Sequence, residues 1–200
     1  HRSYLNEHPA FRLGNNERLE FLGDAVLELI VTDHLYKNFP EPEGELTSFR
    51  SALVKGRNLA QIAKKLGLSN LLLLSRGEEK NQGRDNELIL ANTFEALVGA
   101  IYLDLGLEKT RDFIKNWVLS KLDEILQKGM YRDAKSQLQE LYQAKKGLTP
   151  VYKVLKQFGP DHAKKFVIGV YVGKKKLAEG QGSSKQKAQS NAAKQALKKL

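Results

Sequence analysis

Residues 88–103 read LILANTFEALVGAIYL, a stretch so apolar that a helix built from it has to touch protein on both sides. Such a helix needs other helices around it. Segments with apolar residues at i, i+3, i+4 and i+7 supply them: Asn16 to Phe39, Leu46 to Leu66, Asn86 to Leu105 and Glu108 to Gln127, separated by loops such as FPEPEGE and SRGEEKNQGRDNE. The spacing therefore predicts an all-α domain over residues 1–128. Glu95 lies inside the apolar run, and a carboxylate buried there without a partner costs several kcal/mol or is forced to protonate. A cation, an arginine or a metal ion is expected beside it.

From Asp133 the rhythm changes. A helix-like AKSQLQELYQAKK is followed by three short runs with strand character, VYKVLKQFG, KKFVIGVYVG and KKKLAEGQG, and then by a helix from Ser184 to Leu200. The order α-β-β-β-α predicts a small α+β domain over 134–200, with two helices on one face of a three-stranded antiparallel sheet. Residues 129–133 would be the linker. Charge divides at the same place: residues 1–132 carry 18 Lys/Arg against 19 Asp/Glu, whereas 133–200 carry 15 Lys against 4 Asp/Glu, so the whole +10 excess belongs to the second module. A compact lysine-rich module suits a polyanion, because lysines displace the counterions held around phosphates. A solvated basic face is the alternative.

In the first long helix Glu17, Glu20 and Asp24 fall within about 60° of one another, with Glu28 on the same side. Leu22, Ala25, Val26, Leu29 and Ile30 lie opposite and are expected to face the core. If Glu95 packs against the acidic face, several carboxylates converge, an arrangement tolerated mainly around a divalent ion. The chain has no cysteine, so an all-oxygen site favours Mg²⁺ or Mn²⁺. The competing reading is an ion pair of Glu95 with Arg18 or Arg50.

The segment NERLEFLGDAVL at 16–27, together with HRSY at the start, ILANTFEALVGAIYLD at 89–104 and the C-terminal module, resembles the ribonuclease III family and its double-stranded-RNA-binding domain. The likeness covers nearly the whole chain, though family members usually carry one more helix before the segment that opens at His1. It implies hydrolysis of both strands of duplex RNA with Mg²⁺, leaving 5′-phosphate and 3′-hydroxyl ends, in ribosomal, messenger and small RNA processing. By resemblance Glu20, Asp24 and Glu95 are metal-binding carboxylates, Asp24 and Glu95 being catalytic, and Glu17 and Glu43 support the site. Phe21 matches an aromatic residue that enters a socket of the partner subunit in a homodimer. Asn92 is a departure, since the family has an aspartate ligand there; an amide oxygen still coordinates but brings no charge.

For RNA, Arg76 of SRGE matches a contact of the nuclease part. In the C-terminal module Gln137, Gln139 and Glu140 match the helix that lies in one minor groove, and Pro160 and His162 the loop that enters the next. Ser184, Lys185 and Lys187 open the last helix toward phosphates, with Lys185-Gln186 in place of the family's paired lysines. A binding-only dimer on a degenerate nuclease scaffold stands beside the enzyme reading. No signal peptide is seen at HRSYLNEHPAF and no run of about 20 consecutive apolar residues is found, so a cytoplasmic protein without membrane contact is expected.

Overall fold

The computed structural model describes residues 1–129, 131, 133–160 and 163–200, which form two compact units, His1–Tyr131 and Arg132–Leu200. The first unit is helical, as the periodicity predicts: α1 (Arg2–Glu7), α2 (Glu17–Asn38), α3 (Glu43–Leu53), α4 (Gly56–Lys65), α5 (Leu68–Leu71), α6 (Arg76–Lys80), α7 (Glu87–Trp117) and α8 (Leu122–Gln127). The apolar run becomes the middle of α7. Asn86 starts that helix by accepting hydrogen bonds from the backbone N–H groups of Leu88 and Ile89 at 2.9 and 3.3 Å. Around it Leu27, Ile30, Leu35, Leu53, Leu59, Ile62, Leu90, Phe94 and Ile114 are fully buried in one core.

Two expectations need correction. The segment Leu46 to Leu66 is two helices, because the backbone leaves helical geometry at Lys55 (ψ 130°) and α4 turns to pack on α7. The Asn58 amide donates to the Ala52 carbonyl at 2.5 Å and satisfies the end of α3. The helix from Glu108 stops at Trp117, and α8 follows a short 3₁₀ turn at Leu119–Lys121; Gly106, at φ +77°, supplies the kink between the two halves of α7. By length and composition alone, Glu87–Gln127 contains a window apolar enough to cross a bilayer, although Asn92, Thr93 and Glu95 interrupt its longest apolar run. Within the fold Leu90, Phe94, Val98 and Ile114 of this stretch are completely buried against protein.

The second unit has the predicted order, α9 (Ala134–Lys146), β1 (Val151–Phe158), β2 (Lys165–Val172), β3 (Lys175–Gly182) and α10 (Lys185–Leu197). Its sheet is antiparallel in the order β1-β2-β3, with Val151 opposite Tyr171 and Ile168 opposite Gly180. Asp133 caps α9 and Gly147, at φ +61°, ends it. Leu138, Val170, Ala192 and Ala193 are fully buried between helices and sheet. The alanines of α10 let it lie so close to β3 that a Cβ on Gly180 would come within 2.1 Å of the Ala192 nitrogen.

Candidate acidic site and RNA-facing residues

The helical stripe of α2 is rotated from its expected position. Gly23, Val26, Leu27, Ile30, Val31 and Leu35 are buried, while Ala25 and Leu29 are exposed and Leu22 is half-buried. The rotation follows from the neighbour: α2 packs mainly along α7 and turns toward it the side that can approach most closely. Phe21, Leu29 and Tyr36, at 81%, 59% and 79% exposure, are left as an apolar strip on the outside of α2. Among the described residues of this unit nothing covers it.

Where α2 crosses α7, Glu20 and Asp24 stand opposite Asn92 and Glu95. Glu95 is half-buried, and burial together with the negative charges of Asp24, Glu20 and Glu28 pushes its carboxyl up to about 7. The charges that raise it are all acidic. The arginine alternative is not realised with Arg50, whose Nε sits 3.0 Å from Glu28 and whose Nη1 donates to Thr32 at 3.0 Å. Glu20 is also raised, first by burial and then by Glu17 and Asp24; the nearby Asn92 side-chain amide opposes the shift. Among the described residues, no three His, Asp or Glu side chains are drawn together tightly enough to hold a cation as they stand. Like charges without a counter-ion spread apart, so an open arrangement of these carboxylates is the electrostatic expectation. In donor chemistry the set fits a hard divalent cation, being all oxygen with its electrostatic deficit centred on Glu95.

Glu17 lies at the edge of this group, exposed, bridged by Arg2 at 3.5 Å and by the Asn15 amide at 3.1 Å. Glu43 is apart. It opens α3, accepts a hydrogen bond from Thr47 at 3.2 Å, and lines a cavity of about 400 Å³ with Thr32, Tyr36 and Arg50; it is not among the charges that act on Glu95. Arg76 is exposed at the first position of α6, and its backbone N–H is held by both oxygens of Glu7 at 3.2 and 3.1 Å.

In the second unit Gln139 and Glu140 are exposed and Gln137 half-buried on α9; Pro160 is exposed after β1. His162 lies outside the described residues. Ser184 caps α10, its hydroxyl accepting from the Lys187 N–H at 3.2 Å, and Lys185 and Lys187 are exposed in the first turn. The free N–H groups and the two ammonium groups form a positive end suited to a phosphate backbone. Residue spacing along one helix reveals neither the Glu28–Arg50 pair nor the approach of Gly23 to α7, because both depend on another helix.

Comparison with known proteins agrees with this division. The family profile described as Ribonuclease-III-like matches residues 1–122, and that of the double-stranded RNA binding motif matches residues 134–200. Over its full length the chain is 46% identical to Ribonuclease 3 of Borreliella burgdorferi, covering 82% of that protein, and 44% identical to Ribonuclease 3 of Enterococcus faecalis, covering 87%. The solved nuclease domain of the Campylobacter jejuni ribonuclease III superposes with a TM-score of 0.54 at 39% identity, over 59% of this chain and 79% of that one.

Proposed function

Given that the chain belongs to the ribonuclease III family, we propose that it is a Mg²⁺-dependent endoribonuclease that cleaves both strands of duplex RNA, acts as a homodimer and leaves 5′-phosphate and 3′-hydroxyl ends. Ribosomal, messenger and small RNA precursors are the proposed substrates. The carrying observation is Glu95, half-buried and raised by the charges of Asp24, Glu20 and Glu28. A protein keeps such a cluster where a divalent ion is to be bound. Glu20, Asp24 and Glu95 would hold it, with the Asn92 amide as an uncharged fourth donor and Mn²⁺ as a substitute ion. When bound, the cation polarises the scissile phosphodiester and makes attack by water feasible at neutral pH.

The chain's own residues supply the rest. Glu95 must release its proton to ligate, and its half-buried position keeps the developing charge out of bulk water. Glu17, bound by Arg2 and Asn15, adds negative potential at the entrance of the site. The apolar strip of Phe21, Leu29 and Tyr36 supports association of two copies, which would present one acidic site to each strand. The second unit would hold the duplex by shape, with α9 and the loop after β1 in successive minor grooves and Ser184, Lys185 and Lys187 on the phosphates between them.

The test is cleavage of a long RNA duplex at saturating Mg²⁺. Glu95→Gln should cut at least a hundredfold more slowly than the parent; equal rates would overturn the reading. One observation favours a second reading, a dimer that binds duplex RNA without cutting it: Asn92 withholds a carboxylate from the site. Parent protein that leaves the duplex intact while Asn92→Asp cleaves it would establish that alternative.

A further inference from the structure

At the crossing of α2 and α7 the two backbones touch. A Cβ on Gly23 would lie 1.7 Å from the Glu95 carbonyl oxygen and 2.7 Å from the Gly99 nitrogen. A Cβ on Gly99 would lie 2.2 Å from the Leu19 carbonyl oxygen and 3.1 Å from the Gly23 nitrogen. The contact is reciprocal: each glycine faces the carbonyl that stands four residues before the other glycine. Both are buried inside helices, and neither has the positive φ that would call for glycine on conformational grounds. Alanine there would favour the helices, so the close approach is the physical reason for glycine.

We infer that Gly23 and Gly99 are positioning residues whose backbone contact sets the distance between the acidic side chains of α2 and those of α7. Glu20 and Asp24 lie three residues before and one after Gly23; Glu95 lies four before Gly99, and its own carbonyl is the atom that Gly23 meets. Carbonyl oxygens within helices cannot yield as a flexible side chain would, so a methyl group on either glycine must part the helices. A displacement on the order of 1 Å is large beside the near-ideal geometry that Mg²⁺ demands at about 2.0–2.1 Å. The inference rests on the metal-dependent reading above, and it assigns to two residues without functional groups the spacing of the whole site.

The experiment measures Mn²⁺ binding by the full chain, from the electron paramagnetic resonance of the free ion, for the parent, Gly99→Ala and Val98→Ala. Val98 is completely buried next to Gly99, so its truncation opens the core and adds no atom to the crossing. Gly99→Ala should bind Mn²⁺ at least tenfold more weakly while keeping helical content and duplex-RNA binding in EDTA, and Val98→Ala should stay within twofold of the parent. Mn²⁺ affinity within twofold in Gly99→Ala, or an equal loss in Val98→Ala, would overturn the assignment. A parent that binds no Mn²⁺ overturns the metal reading and this inference with it. The contact is also readable without any variant: the nuclear Overhauser effect between the Gly23 and Gly99 α-protons should persist at saturating Mg²⁺, and its loss would refute a fixed spacing.

Discussion

The Asn92 side chain of α7 stands beside the Glu20 carboxylate of α2, where its amide opposes the upward shift that burial gives that carboxyl. An amide in this place favours the ionised form of Glu20, where an aspartate would repel it. Asn92→Asp removes that amide and adds a charge. The substituted protein should melt at a lower temperature than the parent in EDTA and bind Mg²⁺ about tenfold more tightly, in line with a fourth charged ligand on a hard cation. Calorimetric melting with and without Mg²⁺ checks both halves; an unchanged melt in EDTA would mean that the amide beside Glu20 carries no net stability.

Glu95 makes metal-free stability pH-dependent. In the unfolded chain its carboxyl releases its proton near the ordinary value of 4.5, whereas in the folded chain it holds the proton up to about 7. Between these values the native state binds more protons, so this contribution is fully present below about pH 4.5 and is lost as pH rises through about 7. In EDTA the parent should lose stability relative to Glu95→Gln across that window, and Mg²⁺ should restore it at pH 8. Parallel pH profiles for the two proteins would contradict the assigned shift.

Phe21 stands at 81% exposure on the outer strip of α2 with Leu29 and Tyr36. Phe21→Asp should shift the protein from dimer to monomer in sedimentation analysis while leaving the melting transition nearly unchanged, because no core contact is removed. Duplex cleavage should fall with the dimer fraction. A Phe21→Asp protein that stays dimeric at micromolar concentration would exclude the strip as the association surface.

At the start of α10, Lys185→Ala and Lys187→Ala should weaken duplex-RNA binding for every sequence alike, each reducing the magnitude of the salt-dependence slope by about one. Ser184→Ala acts differently. It removes the hydroxyl that accepts from the Lys187 N–H and should cost about 1 kcal/mol of stability in the second unit. Filter binding across a salt series separates the two effects, and a slope unaffected by either lysine would remove them from the phosphate contacts.

Much of this protein is legible from residues that act locally. Period-3.6 apolar spacing, the caps at Asn86, Asp133 and Ser184, and the placement of Gly106 and Gly147 determine where the helices of α7, α9 and α10 start, bend and stop. Lysine content alone sets the second unit apart as a basic module, since charge is additive and needs no fold; the likeness to the double-stranded RNA binding motif is what points it to RNA. A partly buried carboxylate at Glu95 is equally evident, because so apolar a helix must pack against protein along most of its surface, although Leu88 and Leu103 stay exposed at 70% and 65%. Only the tertiary structure decides which side of α2 is core. Ala25 and Leu29 are as apolar as their buried neighbours, yet Gly23 brings the opposite side against α7 and leaves them outside. It also decides that Arg50 neutralises Glu28 and leaves Glu95 surrounded by acids. Both outcomes depend on how near two helices come and at what rotation, which the crossing of their backbones sets.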